Sequence, residues 1–135
     1  MPLENLFKNI SKSQNHQQVP GVMVDATCIR VPVLRAHSES IRVSLKEPAS
    51  YKEIHEELGS KAWLRVVDDR AGNRFPTPRA ASGGDVTLVG RIRPDAALPA
   101  EEGGRSRHWH LFVSGDQIRK GAALNAVQIG ELLTG

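Results

Sequence analysis

The 135-residue chain holds one cysteine, Cys28, and few aromatic side chains: three Phe, two Trp and one Tyr. A single thiol excludes an internal disulfide framework, a CxxC metal site and a redox couple within the chain, and it suits a reducing compartment. Charge of one sign is also lacking. Lys and Arg number 18 against 15 acidic residues, scattered along the sequence. Without a basic stripe interleaved with stacking aromatics, the net charge of +3 describes a mixed, solvated surface rather than a nucleic-acid interface. No apolar signal core opens the sequence, and no segment approaches the roughly 18 apolar residues of a membrane span. A cytoplasmic protein without a membrane role is therefore expected. No G-x-G-x-x-G loop occurs, and the length suits one domain rather than a dinucleotide fold plus a full substrate domain.

What is present is ordinary globular composition, with 39% hydrophobic and 24% charged residues. Residues 1–21 are polar, with a short helical period at Leu3, Leu6, Phe7 and Ile10 before the turn Val19-Pro20-Gly21, and form a poorly defined N-terminal segment. Residues 22–135 form the domain. Val22–Val24 and Thr27–Val33 are β-branched and predict extended chain, Pro32 marking an edge or strand end. Ser40–Leu45 alternates Ile41, Val43 and Leu45 with polar residues, the period of a half-buried strand, expected beside Thr27–Val33. Ser50-Tyr51-Lys52-Glu53 matches a capping box, opening a helix to Leu58 that Gly59 would end in a left-handed conformation. Ala62–Val67, Val86–Arg93 and Arg107–Val113 predict strands, separated by loops at Asp68–Gly84 and Asp95–Ser106. Ala122, Ala126, Ile129 and Leu133 make the apolar stripe of a last helix over Ile118–Leu133. The expected fold is α+β, a mixed or antiparallel sheet with helices on one face. So few helices leave the other face to a partner subunit or a further domain.

Several residues carry candidate chemistry. Arg30 lies in an apolar stretch where an unpaired guanidinium is expensive, so it should meet a carboxylate, from the protein or from a ligand. His37 follows in a small-residue turn between strands, a position that suits a functional histidine and a structural one alike. Cys28 with His37 has the residue types of a thiol hydrolase, but an apolar run would bury and quench the thiol. His108 and His110 flank Trp109 on one strand face without a third metal ligand at convincing spacing. The Gly83-Gly84 and Gly103-Gly104 pairs lack the strand-to-helix context of a phosphate loop and are read as turns. Lys120-Gly121 at the last helix's start can attract an anion.

Thr27-Cys28-Ile29-Arg30-Val31-Pro32-Val33 followed by Arg35-Ala36-His37-Ser38-Glu39 is similar to the signature of bacterial aspartate-semialdehyde dehydrogenases. Three later stretches resemble that family in the same order: Arg74–Pro78, Val89–Arg93 and Gly115–Ile129. Together they correspond to roughly the last third of a complete enzyme. The resemblance implies the substrate and dimerisation fold of the glyceraldehyde-3-phosphate dehydrogenase-like family. It also implies an NADP-dependent reaction between aspartyl phosphate and aspartate semialdehyde, on the route to lysine, threonine and methionine. By this likeness His37 matches the acid/base histidine and Arg30 the arginine that grips the substrate carboxylate. Gln117 matches an amide near the nicotinamide and the reacting carbonyl, and Asn125 lies in the same cofactor-proximal motif.

The departures limit that reading. The family's nucleophilic cysteine and Gly-rich nucleotide loop lie upstream of anything in this chain, so the chain alone is expected to be inactive and to bind NADP poorly. The family's Glu-x-x-Lys helix finds Asn5 opposite Lys8, with Glu4 one residue out, and the phosphate site stays unassigned. A homodimer, or association with a cofactor-domain chain, is the expected assembly. The alternative is a non-catalytic dimerisation or interaction module derived from that enzyme.

Overall fold

The computed structural model describes residues 21–134. The N-terminal helical period at Leu3–Ile10 lies outside them. Four strands, β1 (His37–Ala49), β2 (Leu64–Val66), β3 (Thr87–Pro94) and β4 (Ser106–Gly115), form one sheet in the order β1-β4-β3-β2. β4 runs antiparallel to both neighbours, and β2 joins β3 in parallel. Between them lie helix α1 (Tyr51–Gly59) and the four-residue helix α2 (Pro78–Ala81). After β4 comes a π-helical turn (Arg119–Ala123) that runs into helix α3 (Leu124–Thr134). The mixed sheet with few helices is the expected α+β class.

Register explains which residues face inward. Opposite Val43 stands Trp109, opposite Ile41 stands Leu111, and Val113 faces Val89. This apolar face receives α1, whose Gly59 packs toward Val66. Trp109, Val89 and Ile92 are essentially inaccessible, and the Trp109 indole N–H donates to the Ser106 carbonyl at 2.8 Å, so the buried ring keeps no orphan donor. The other face holds Ser38, Arg42, His110 and Ser114, with a small cluster of Ala36, Ala81 and Leu88 where α2 touches it. Gly90 is required by packing. A Cβ there would collide with the Val67 carbonyl and with Pro76.

Three local expectations need correction. β1 does not pair with residues 27–33; its neighbour is β4, in register from His37↔Gly115 to Ser44↔His108. Residues 22–36 form no strand, and their own backbone hydrogen bond is Val33 N–H to Val31 O at 2.9 Å, a tight turn around Pro32. Pro32 fixes φ and lacks an amide proton, which favours that turn over a ladder. Second, α1 opens with both halves of the capping box but includes Gly59 in right-handed geometry. It ends at Ser60 (φ −75°), whose hydroxyl donates to the Glu57 carbonyl at 2.8 Å and replaces a left-handed cap. Third, the expected loop at Asp68–Gly84 contains α2, started by the Thr77 hydroxyl accepting from Ala80 N–H and by Pro78 in the first turn.

Candidate active-site cleft

The chain reverses just before β1. Ala36 is buried and left-handed (φ 78°), a conformation that costs a non-glycine residue energy and persists only when its surroundings hold it. Two side chains from the segment after β4 do so. Gln117 Oε1 accepts the Ala36 N–H at 2.6 Å, and Asp116 takes the Arg35 guanidinium through Oδ2 at 2.6 Å. Asp116 is fully buried. Its Oδ2 also accepts Gly83 N–H at 2.6 Å, while Oδ1 accepts Ile118 and Arg119 N–H, each at 2.9 Å. The Arg35 hydrogen bond leads in holding this carboxyl far below the ordinary carboxylate range, and the three backbone donors add to it against the cost of burial. One carboxylate thus ties the turn before His37, the loop after α2 and the start of the π-helical turn.

That clamp sets a cleft of about 230 Å³, lined among others by His37, Glu39, Asp116, Gln117, Lys120 and Gly121. His37 and Glu39 stand on the same side of β1, and His37 pairs across the sheet with Gly115. Lys120 sits where the backbone widens into π geometry, a feature frequent at functional sites, and its ammonium donates to Gln128 Oε1 at 2.6 Å and Asn125 Oδ1 at 3.4 Å. The cleft therefore offers an exposed imidazole, a carboxylate, an ammonium and the unengaged amide end of Gln117, a set able to move a proton beside a polarised carbonyl.

Of the residues singled out from sequence, His37, Gln117, Lys120 and Gly121 meet in this cleft. Asn125 stands one turn behind, engaged with Lys120. Arg30 does not line the cleft; it is exposed on the chain before the turn, so the apolar burial expected around it is not found. Cys28 is likewise exposed rather than buried, and it too is absent from the lining. His108 Nδ1 meets the Ser44 hydroxyl at 2.9 Å and His110 Nε2 lies 3.4 Å from Asp95, each ring with its own partner. Sequence reasoning gave no role to Asp116. Its signal was an Asp immediately before a helical segment, the residue type that captures the free amides of a first turn.

The family described as "Semialdehyde dehydrogenase, dimerisation domain" matches residues 3–120. The chain belongs to that family. Aspartate-semialdehyde dehydrogenase of Prochlorococcus marinus is 42% identical over 130 residues, covering 96% of this chain and 36% of that protein. Its counterpart in Mycolicibacterium smegmatis is 46% identical over 115 residues, covering 85% and 30%. Among solved structures, aspartate semialdehyde dehydrogenase II of Vibrio cholerae complexed with ASA superposes with a TM-score of 0.71 at 38% identity, over 82% of this chain and 30% of that one. This semialdehyde dehydrogenase domain thus spans about a third of the length of its curated relatives. Among the described residues no helix is long and apolar enough to cross a membrane.

Proposed function

We propose that the chain forms the substrate-side and dimerisation third of an NADP-dependent aspartate-semialdehyde dehydrogenase. That enzyme interconverts aspartyl phosphate and aspartate semialdehyde in the cytoplasm, for lysine, threonine and methionine synthesis. The observation that carries this reading is the meeting of His37 and Gln117 in one cleft, held by the Ala36 turn. His37 takes and returns the proton as the carbonyl changes hybridisation, since an imidazole serves as acid and base in turn. Gln117 is fixed through its oxygen and presents its amide hydrogens to the cleft, a donor suited to the carbonyl of the substrate or of a nicotinamide carboxamide. NADP, when bound, supplies hydride transfer. Gln117 fits its nicotinamide end, whereas Asn125 is committed to Lys120 and acts on the cofactor through the start of α3. Arg30 grips the substrate carboxylate with its planar fork once the segment 22–34 is laid against the site by the rest of the enzyme or by a second copy in a homodimer.

Residues 22–134 grafted into the Vibrio cholerae enzyme in place of the corresponding third test this reading. NADPH formation from aspartate semialdehyde, phosphate and NADP should persist, and the isolated chain should show none. In the graft, His37→Asn should lower kcat about a hundredfold with binding nearly intact. Arg30→Lys should lower kcat/KM by about ten- to a hundredfold. A folded graft without turnover would favour a non-catalytic dimerisation module, and variants that shift only the melting temperature would remove both residues from the site.

A further inference from the structure

A second depression, of about 200 Å³, shares no lining residue with the His37 cleft. It is lined by Asp68, Arg70, Phe75, Arg91 and Arg93, where the start of the loop after β2 meets an irregularity in β3. The β3–β4 register shifts between Gly90 and Arg93, and Arg91 within that shift is left-handed (φ 51°). A long cationic side chain held in a strained backbone conformation points from geometry to function. Asp68 offsets one of the three positive charges of the cluster but forms no ion pair with any of its guanidinium groups. Its carboxylate accepts Arg91 N–H at 2.8 Å, Ile92 N–H at 3.3 Å and the Tyr51 hydroxyl at 3.1 Å, so it serves to shape the bulge.

The three exposed guanidinium groups are oriented by ring and carbonyl contacts without being paired. Arg91 lies over the Phe75 ring with its Cζ 4.8 Å from the centroid, and Arg70 over the Tyr51 ring at 5.4 Å. Arg70 also donates to the Ile92 carbonyl at 2.7 Å, and Arg93 to the Arg91 carbonyl at 3.0 Å. Elsewhere Arg35, Arg42, Arg74, Arg105, Arg107 and Arg119 each hold a carboxylate, while Arg30, Arg65 and Arg79 stand singly without an ion pair among the described residues, so it is the clustering of three such groups that sets this depression apart. Arg70, Arg91 and Arg93 form no ion pair among the described residues. Ring stacking and carbonyl contacts engage only part of each fork, leaving donors in fixed directions that match an oxyanion better than lysines would.

We propose that this depression binds a phosphoryl-type oxyanion, either free inorganic phosphate or the phosphate end of a small monoester. The site is independent of the reading of His37, and the experiment locates binding by residue. The ¹⁵N-labelled chain is titrated with inorganic phosphate, with glycerol phosphate, and with chloride at matched ionic strength. Saturable shifts are expected at the amides of Arg70, Ile92 and Arg93 beyond those caused by chloride. Equal response to both phosphates identifies a site open to monoesters, and response to inorganic phosphate alone identifies a closed one. Arg91→Gly keeps a residue at ease in the left-handed backbone while removing the guanidinium, and should weaken binding by about tenfold or more. Arg93→Ala should do the same without touching the strained position, and Lys46→Ala should change nothing. Absence of saturation above chloride, undiminished affinity in both arginine variants, or shifts confined to His37 and Lys120 would overturn the proposal.

Discussion

The segment before the sheet is richer in apolar residues than the strands themselves, yet the two have opposite fates. In β3 and β4, Val89, Ile92 and Trp109 are buried to within 1% of completeness, whereas Met23 and Leu34 are 96% and 106% exposed. Val24, Ile29 and Val31 share that exposure, and so do Val127, Leu132 and Leu133 on α3. Large apolar side chains left exposed along two separate arms mark surfaces suited to contact with further protein. The sheet carries the large, fully buried apolar side chains, and the arms are expected to meet a partner.

The comparison breaks most severely at Trp109. Trp109→Ala removes the largest buried side chain together with an indole that satisfies the Ser106 carbonyl, and should cost about 3–5 kcal/mol in chemical denaturation. A loss as small as that of a surface substitution would mean that the sheet is not the stable unit.

How far the sequence foretold this division depends on the range of the interactions involved. Capping at Ser50 is local, and both of its reciprocal hydrogen bonds are present. Alternation in β1 located the half-buried Ile41, Val43 and Leu45, because a period of two is a property of the strand itself. Which strand lies beside β1 is a long-range matter. Proximity in sequence favoured residues 27–33, yet the register with β4 spans some seventy residues, and no local signal encodes it. In the cleft, His37 and Gln117 were legible through family likeness. Asp116 was not assigned because its role rests on Arg35 and Gly83, both far away in sequence.

Acid should sharpen the contrast within the stable part. Asp116 and Glu53 both have folded-state pKa values below their unfolded ones, Glu53 at about 2 against 4.5, chiefly through hydrogen bonds from the Ser50 backbone and hydroxyl and from Arg105. A depressed carboxylate contributes stability that is complete above its unfolded value and lost as pH falls through the folded one. The melting temperature should therefore decline from about pH 4.5 toward pH 2. Asp116→Asn should flatten part of that slope and loosen the Ala36 turn, seen as faster hydrogen exchange at the Ala36 amide. An unchanged slope in that variant would remove Asp116 from the clamp.

The arms should matter least to folding and most to association. Leu34→Ser and Leu132→Ser should each change stability by no more than about 0.5 kcal/mol, as exposed positions do. Sedimentation velocity on the chain across the micromolar range is the direct measurement. Concentration-dependent self-association that recedes when Leu34 and Leu132 are both replaced by Ser is the expected result. A monomer at every concentration, with a cooperative melt, would contradict the assignment of these arms to a partner and with it the division drawn between sheet and arms.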